Sequence, residues 1–318
     1  MSKKKKIMII FPASIVLLFA LAFIGGSYYI GTQVFENSSQ LVTCEDTSTI
    51  KDSFWEKMNL DPDKFRSDYE FEDIKIESSF DGHIIPGDYI SAGDAHDKVV
   101  IMIHGLGGNR YTNYPVVAFF LENGYDVITY DQRSSNENTA QYTTFGYWEK
   151  YDVADLMDYV TGRYPDISIG LWGTSFGGTT AVQAAANAKD QSAIKFMILD
   201  CPLGDVDYMI SAELNKMDLG IPTEYMIWCG DIINKNELGF SYEDANAIKI
   251  AKKVSVPTLV INSKVDETTP YYMGKFIYDN INTSDKKIWT VNDSKHASIW
   301  EDHNEQYRKE MSDFIAGR

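Results

Sequence analysis

The sequence predicts an α/β protein: a mostly parallel sheet with helices on both faces, an insertion over the sheet, and an apolar N-terminal helix ahead of it. Three observations carry this expectation. Short apolar runs without period-two alternation recur along the chain, as in strands buried on both faces. Helix-length segments separate those runs, which is the rhythm of a parallel sheet. Near the N-terminus, 24 consecutive residues (7–30) carry no charge. With 318 residues and 44% apolar content, the chain is long enough to bury a sizeable core.

Taken in order, the chain opens on Lys3, Lys4, Lys5 and Lys6 and continues into the uncharged run. At about 1.5 Å per residue that run reaches roughly 36 Å, enough to cross a hydrocarbon core of about 30 Å with some tilt. Pro12 lies near its start, where a missing N–H is tolerated, and Tyr28 and Tyr29 stand where interfacial aromatics belong. A cleaved signal peptide is the alternative. Its apolar region spans about 7 to 15 residues, and the small-x-small triplet Ala20-Leu21-Ala22 lies inside the run rather than after it. We therefore expect a retained transmembrane helix over 7–30 with a basic cytoplasmic flank, 1–6. Glu36, Glu45 and Asp46 mark the opposite side, so the rest of the chain is expected outside the cell membrane.

Residues 31–49, rich in Ser and Thr from 37 onward, suit a linker. One domain is expected over 50–318. Apolar segments at 74–76 and 84–90, joined by an Asp81-Gly82 turn, predict an antiparallel hairpin. Strands follow at 99–103, 127–130, 167–171, 196–199, 258–261 and 288–291, with helices at 111–123, 147–164, 176–188, 271–280 and 299–315. About 202–244 the rhythm breaks into Met-, Trp- and Tyr-rich segments punctuated by glycine, which reads as a cap insertion. Its Tyr208, Met209, Met217, Tyr225, Met226, Ile227 and Trp228 suit either a lid over an acyl pocket or ordinary cap packing.

Composition excludes several functions. Lys plus Arg total 29 against 46 Asp plus Glu, a net charge of −17, and four of the cations sit in the first six residues. A broad electrostatic footprint for nucleic acid is therefore not expected. Three cysteines, Cys44, Cys201 and Cys229, are too few for a disulfide scaffold; the last two are expected as buried free thiols, a bond between them being the alternative. No P-loop, His-Glu-x-x-His or EF-hand spacing is present, so neither a cofactor nor a metal is expected.

The motif that carries chemistry is Gly173-Thr174-Ser175-Phe176-Gly177, which follows a strand and precedes an Ala-rich helix. Strand, G-x-S-x-G, helix describes a sharp turn that lifts a serine hydroxyl above a sheet, with small flanking residues permitting close approach of strand and helix. Ser175 would stand at a helix N-terminus, whose positive dipole end favours developing negative charge. It is the expected nucleophile. This arrangement over about residues 70–318 resembles the α/β-hydrolase superfamily, whose nucleophile, acid and histidine follow in that chain order.

The resemblance implies the remaining site residues. His296, after the last strand and before the last helix, takes the place of the general base, ahead of His83, His96, His104 and His303. Asp266, in the loop after strand 258–261, takes that of the acid, with Glu267, Asp293 and Asp200 as rivals. An oxyanion hole would draw one backbone N–H from Phe176 and another from Leu106, with His104 and Gly105 shaping the turn. The segments 130–133 and 144–152 resemble parts of bacterial hydrolases described as esterases or serine aminopeptidase-like proteins, and Arg133 and Asp152 are candidates for a pair.

Gly105-Leu106-Gly107 with a later Asp131 also loosely matches a dinucleotide fingerprint, but Arg110 occupies the third glycine position. The expected function is therefore hydrolysis of a carboxylic ester of a small-molecule acyl substrate. Peptidase, aminopeptidase-like or acyltransferase chemistry could use the same three residues. The non-enzymatic alternative is an envelope binding module.

Overall fold

In the computed structural model, which describes residues 3–58 and 60–318, eight strands form one sheet in the order β1-β2-β4-β3-β5-β6-β7-β8. These are β1 (Glu70–Glu77), β2 (Ile84–Ser91), β3 (Lys98–Ile103), β4 (Asp126–Tyr130), β5 (Ser168–Thr174), β6 (Ile194–Asp200), β7 (Thr258–Ser263) and β8 (Lys286–Val291). The first two form the expected antiparallel hairpin, β2 pairs antiparallel with β4, and every pairing from β4 onward is parallel.

The helices are α1 (Lys3–Ser39), α2 (Cys44–Ser48), α3 (Ile50–Lys57), α4 (Pro62–Asp68), α5 (Tyr114–Glu122), α6 (Glu149–Arg163), α7 (Phe176–Asn187), α8 (Val206–Lys216), α9 (Thr223–Leu238), α10 (Ala247–Ile250), α11 (Tyr272–Asn280), α12 (Ile299–Asp302) and α13 (Asn304–Ile315). The single helix expected over 299–315 is two, divided at His303, whose backbone leaves the helical region and whose ring pairs with Asp293.

Burial on both faces explains why the strands lack alternation. Val99, Ile101 and Ile103 of β3 join Val153, Leu156 and Val160 of α6 and Ala181 and Ala185 of α7 in one core cluster. The intervening Val100 and Met102 join Val117 and Phe120 of α5 and Tyr307 and Met311 of α13 in a second. Successive side chains of a strand point to opposite faces, so both registers must be apolar when helices cover both.

The chain divides into two compact units, 40–206 with 243–318 and 1–39 with 207–242. The first holds the sheet. In the second, α1 runs beside α9 at close range. A Cβ on Gly31 would stand 2.6 Å from the Cys229 carbonyl oxygen, and one on Gly230 would stand 2.4 Å from Val34 Cγ1, so both glycines admit the neighbouring helix. Ser27 Oγ and the Tyr225 hydroxyl share a hydrogen bond of 2.5 Å, and Ser38 Oγ and the Tyr242 hydroxyl share one of 2.8 Å.

This corrects the linker expected over 31–49. Helix α1 runs through to Ser39 because its second half has α9 to pack against. Helix α2 starts at a capping box in which Thr43 and Asp46 bond reciprocally. Thr47 is buried, with its hydroxyl accepting from Asn136 N–H and its carbonyl from Asn109 Nδ2. The lysines of the basic flank have side chains outside those described. Cys201 and Cys229 are buried free thiols.

Candidate active site

Strand β5 runs into α7 through a turn that only small residues permit. A Cβ on Gly173 would lie 2.4 Å from the Gly177 carbonyl oxygen, and one on Gly177 would lie 2.1 Å from that of Ile103. Between them Ser175 adopts φ +54 and ψ −118, a conformation rarely taken by an L side chain and one that costs on the order of 1–3 kcal/mol. The turn is held from outside: Ser175 N–H donates to Asp200 O at 2.8 Å, and Leu203 N–H donates to Ser175 O at 3.0 Å.

His296 meets Ser175 from the loop after β8. Its Nε2 is 2.9 Å from Ser175 Oγ and its Nδ1 is 2.7 Å from Asp266 Oδ2. Asp266 is buried and accepts from the backbone N–H groups of Thr268 and Thr269, both at 2.9 Å, and from the Thr269 hydroxyl at 3.0 Å. Burial pushes its carboxyl up, but the hydrogen bonds and charge attraction from His296 and the bonds from Thr269 outweigh that and hold it below its ordinary value. An ionised Asp266 can only accept, which places a proton on Nδ1 of His296 and leaves Nε2 to accept from the serine hydroxyl.

The rival acids are engaged elsewhere. Asp293 pairs with His303 at 2.8 Å, and Glu267 is exposed. Asp200 is buried at the end of β6, where it accepts from the Tyr307 hydroxyl at 2.9 Å and burial pushes its carboxyl up to about 6. Cys201 lies next to this site. Ligand-capable atoms of Cys201, Asp266 and His296 fall within 4.8 Å of one another, but burial pushes the thiol well above its ordinary value and keeps it protonated. A protonated thiol beside a carboxylate and an imidazole already bonded to each other is poorly prepared to ligate a metal.

The loop after β3 comes directly beside the serine. A Cβ on Gly105 would rest 3.4 Å from Ser175 Cβ. Leu106 follows at a turn closed by Gly108 N–H donating to Gly105 O at 3.1 Å, with Gly107 at φ +79. Phe176 is the first residue of α7, where a backbone N–H has no acceptor within its own helix. His104 is buried, and burial pushes its pKa down. Its neutral ring donates from Nδ1 to Gly105 O at 2.8 Å and accepts Gln132 N–H at Nε2, 2.9 Å away.

Gln132 and Thr269 also bond into this cluster, and nothing in the sequence singles them out. Gln132 Nε2 donates to His104 O at 2.6 Å while its Oε1 accepts from the Thr180 hydroxyl at 2.8 Å, joining the β3 loop to α7. The only trace of either in the sequence is adjacency, Gln132 to Asp131 and Arg133, and Thr269 to the Asp266 loop.

Two other expectations resolve here. Arg110 donates to Asp131 from its guanidinium at 2.8 Å and from its backbone N–H at 2.9 Å, both side chains being buried. The acid and the third position of the apparent dinucleotide fingerprint are thus consumed by one another. Arg133 pairs with Asp152 at 2.9 Å and with Asp81 at 2.7 Å, so it ties the turn between β1 and β2 to α6.

Comparison with known proteins agrees with this architecture. A family model described as alpha/beta hydrolase fold matches residues 98–225. The chain is 24% identical over 236 residues to the uncharacterized protein YqkD of Bacillus subtilis, covering 74% of this chain and 76% of that protein. It is 23% identical to the lysophosphatidylserine lipase ABHD12 of Xenopus tropicalis, over 57% of this chain and 46% of the lipase. Among solved structures, the Pyrococcus furiosus esterase Pf2001 superposes with a TM-score of 0.64 at 22% identity, covering 81% of this chain and 95% of the esterase. Strand order, the strained serine turn and the family match together give this chain the α/β-hydrolase fold.

Proposed function

We propose that the protein is a serine hydrolase that cleaves a carboxylic ester through an acyl-enzyme, with Ser175 as nucleophile, His296 as general base and acid, and Asp266 as the group that orients His296. The observation that carries this reading is the hydrogen-bonded series Ser175 Oγ, His296 Nε2, His296 Nδ1, Asp266 Oδ2 on a strained strand-to-helix turn. Ser175 Oγ attacks the carbonyl carbon as its proton passes to His296 Nε2, giving a tetrahedral oxyanion and an imidazolium stabilised by Asp266. The backbone N–H groups of Leu106 and Phe176 are assigned to the oxyanion. His296 returns the proton to the departing alcohol, then takes one from water as it attacks the acyl-enzyme, and Ser175 is regenerated. An ester is taken over an amide because a lipase is among the sequence relatives. The Lys3–Lys6 flank supports a catalytic unit outside the cell membrane.

The test uses full-length protein in detergent. A fluorophosphonate probe labels the wild type and not Ser175→Ala, and turnover of p-nitrophenyl esters falls roughly a millionfold in that variant. Failure of correctly folded protein to label overturns the hydrolase reading. Preference for aminoacyl anilides over a chain-length series of p-nitrophenyl esters overturns the ester reading in favour of a peptidase.

A further inference from the structure

The unit made by α1 and residues 207–242 contains a groove of about 260 Å³ lined mainly by Phe23, Ile24 and Tyr28 of α1 and Trp228, Ile232 and Ile233 of α9. We propose that this groove takes an acyl chain of an outer-leaflet phospholipid and that the α9 face beside it is seated in the membrane. The proposal rests on α1 being a retained span and is independent of the chemistry at Ser175.

Length sets the level of the groove. Helix α1 has 37 residues, about 55 Å at 1.5 Å per residue, whereas a hydrocarbon core of about 30 Å takes up about 20 of them. Counted from the end of the basic flank, those 20 finish near residue 26, so positions 23–28 straddle the outer boundary. Helix α9 lies alongside at this point and runs in the same direction, since Ser27 meets Tyr225, Gly31 meets Cys229 and Val34 meets Gly230.

Along both helices the exposed residues turn from apolar to polar, the change coming about one turn later on α9 than on α1. Below the break, Phe23, Ile24, Tyr28 and Tyr29 are exposed, and on α9 so are Trp228 at 56% and Ile232 at 40%, with Glu224 exposed at the start of that helix. Trp228 stacks on Tyr225 at 6.0 Å and stands four residues before Ile232, so the two present one apolar face. Above the break the exposed residues are Gln33 and Glu36 on α1 and Lys235 and Glu237 on α9. Water is a poor neighbour for the lower face and a good one for the upper. Tyr and Trp at the crossover are the residues that settle at a headgroup boundary. A lipid chain lying in the groove would cover the apolar walls that α1 and α9 leave open.

The experiment reconstitutes full-length protein into vesicles of phosphatidylcholine and phosphatidylglycerol that carry a phosphatidylcholine with a diazirine in its acyl chain. After photolysis, adducts are expected on peptides from 223–238 as well as on α1, and Ile232→Asp should reduce the α9 adducts about tenfold while those on α1 persist. Brominated lipid should quench a fluorescence component that Trp228→Phe removes. Labelling of α9 no greater than that of the sheet unit's α13, or no change in quenching with Trp228→Phe, overturns the proposal with the anchor intact. An intact mass showing loss of the N-terminal residues before the groove overturns the anchor and the groove together, and fluorophosphonate labelling is unaffected by either outcome.

Discussion

Asp266 and Asp200 are both buried carboxyls within reach of the same loop cluster, yet their surroundings push them in opposite directions. Asp266 accepts from His296 and Thr269 and is held low, while Asp200 has the Tyr307 hydroxyl and is raised to about 6 by burial. Asp266→Asn should therefore leave a folded protein whose kcat is lower by about 10⁴, because an amide cannot hold His296 in the tautomer that accepts the serine proton. Asp200→Asn should retain activity and change stability instead. A carboxyl whose folded pKa lies above its unfolded value stabilises the fold fully below about pH 4, and that contribution is lost as pH rises through about 6. Above that range the wild type carries an unfavourable buried charge that the neutral amide of the variant would not. Thermal melts should show Asp200→Asn gaining on the wild type between pH 4 and pH 7 by about 2 kcal/mol. An unchanged difference across that range would contradict the assignment. The sequence offered both carboxylates as acids after adjacent strands, and motif order favoured Asp266. What it could not supply was Tyr307, 107 residues from Asp200, or the backbone donors folded back onto Asp266.

At the scale of elements, the serine turn depends on how closely α7 approaches β3. Gly177 has the Ile103 and His104 carbonyl oxygens where a Cβ would go, at 2.1 and 2.7 Å, and neither backbone has a free end to move aside. Gly177→Ala is expected to lower stability by several kcal/mol and to abolish labelling at Ser175, since relief requires α7 or the β3 loop to shift. Gly162, in the last turn of α6, has nothing within 4 Å of its Cβ position. Gly162→Ala should raise stability by about 0.5–1 kcal/mol with no effect on the serine, a contrast read by parallel thermal melts and probe labelling. The strands and most helices were legible because burial on two faces leaves continuous apolar runs and burial on one leaves amphipathic ones. The second half of α1 was not. Its Thr32, Gln33, Asn37, Ser38 and Ser39 have the composition of a stalk, and what makes them helical is packing against Gly230 and Tyr242, roughly 200 residues later.

For the whole molecule, the consequence is that the N-terminal segment is not separable from the insertion at one arbitrary point. Removing residues 1–22 deletes most of the apolar span but leaves Ser27, Gly31, Val34 and Ser38 in place against α9. Removing residues 1–39 takes away the whole partner, including the buried Val34 and Phe35, and leaves the Gly230 face of α9 and the Tyr242 hydroxyl without their contacts. The sheet unit keeps its own two core clusters in either case, as well as Ser175, His296 and Asp266. A chain of 23–318 should therefore show a single cooperative melt in mild detergent close to that of the full-length protein. A chain of 40–318 should bind a hydrophobic dye at temperatures well below the melting of its sheet unit, because local stability follows local burial. Protease nicking of the shorter chain is expected first within 207–242, mapped by mass spectrometry. Equal dye binding and equal nicking in the two truncations would mean that α1 adds nothing to the insertion beyond tethering it.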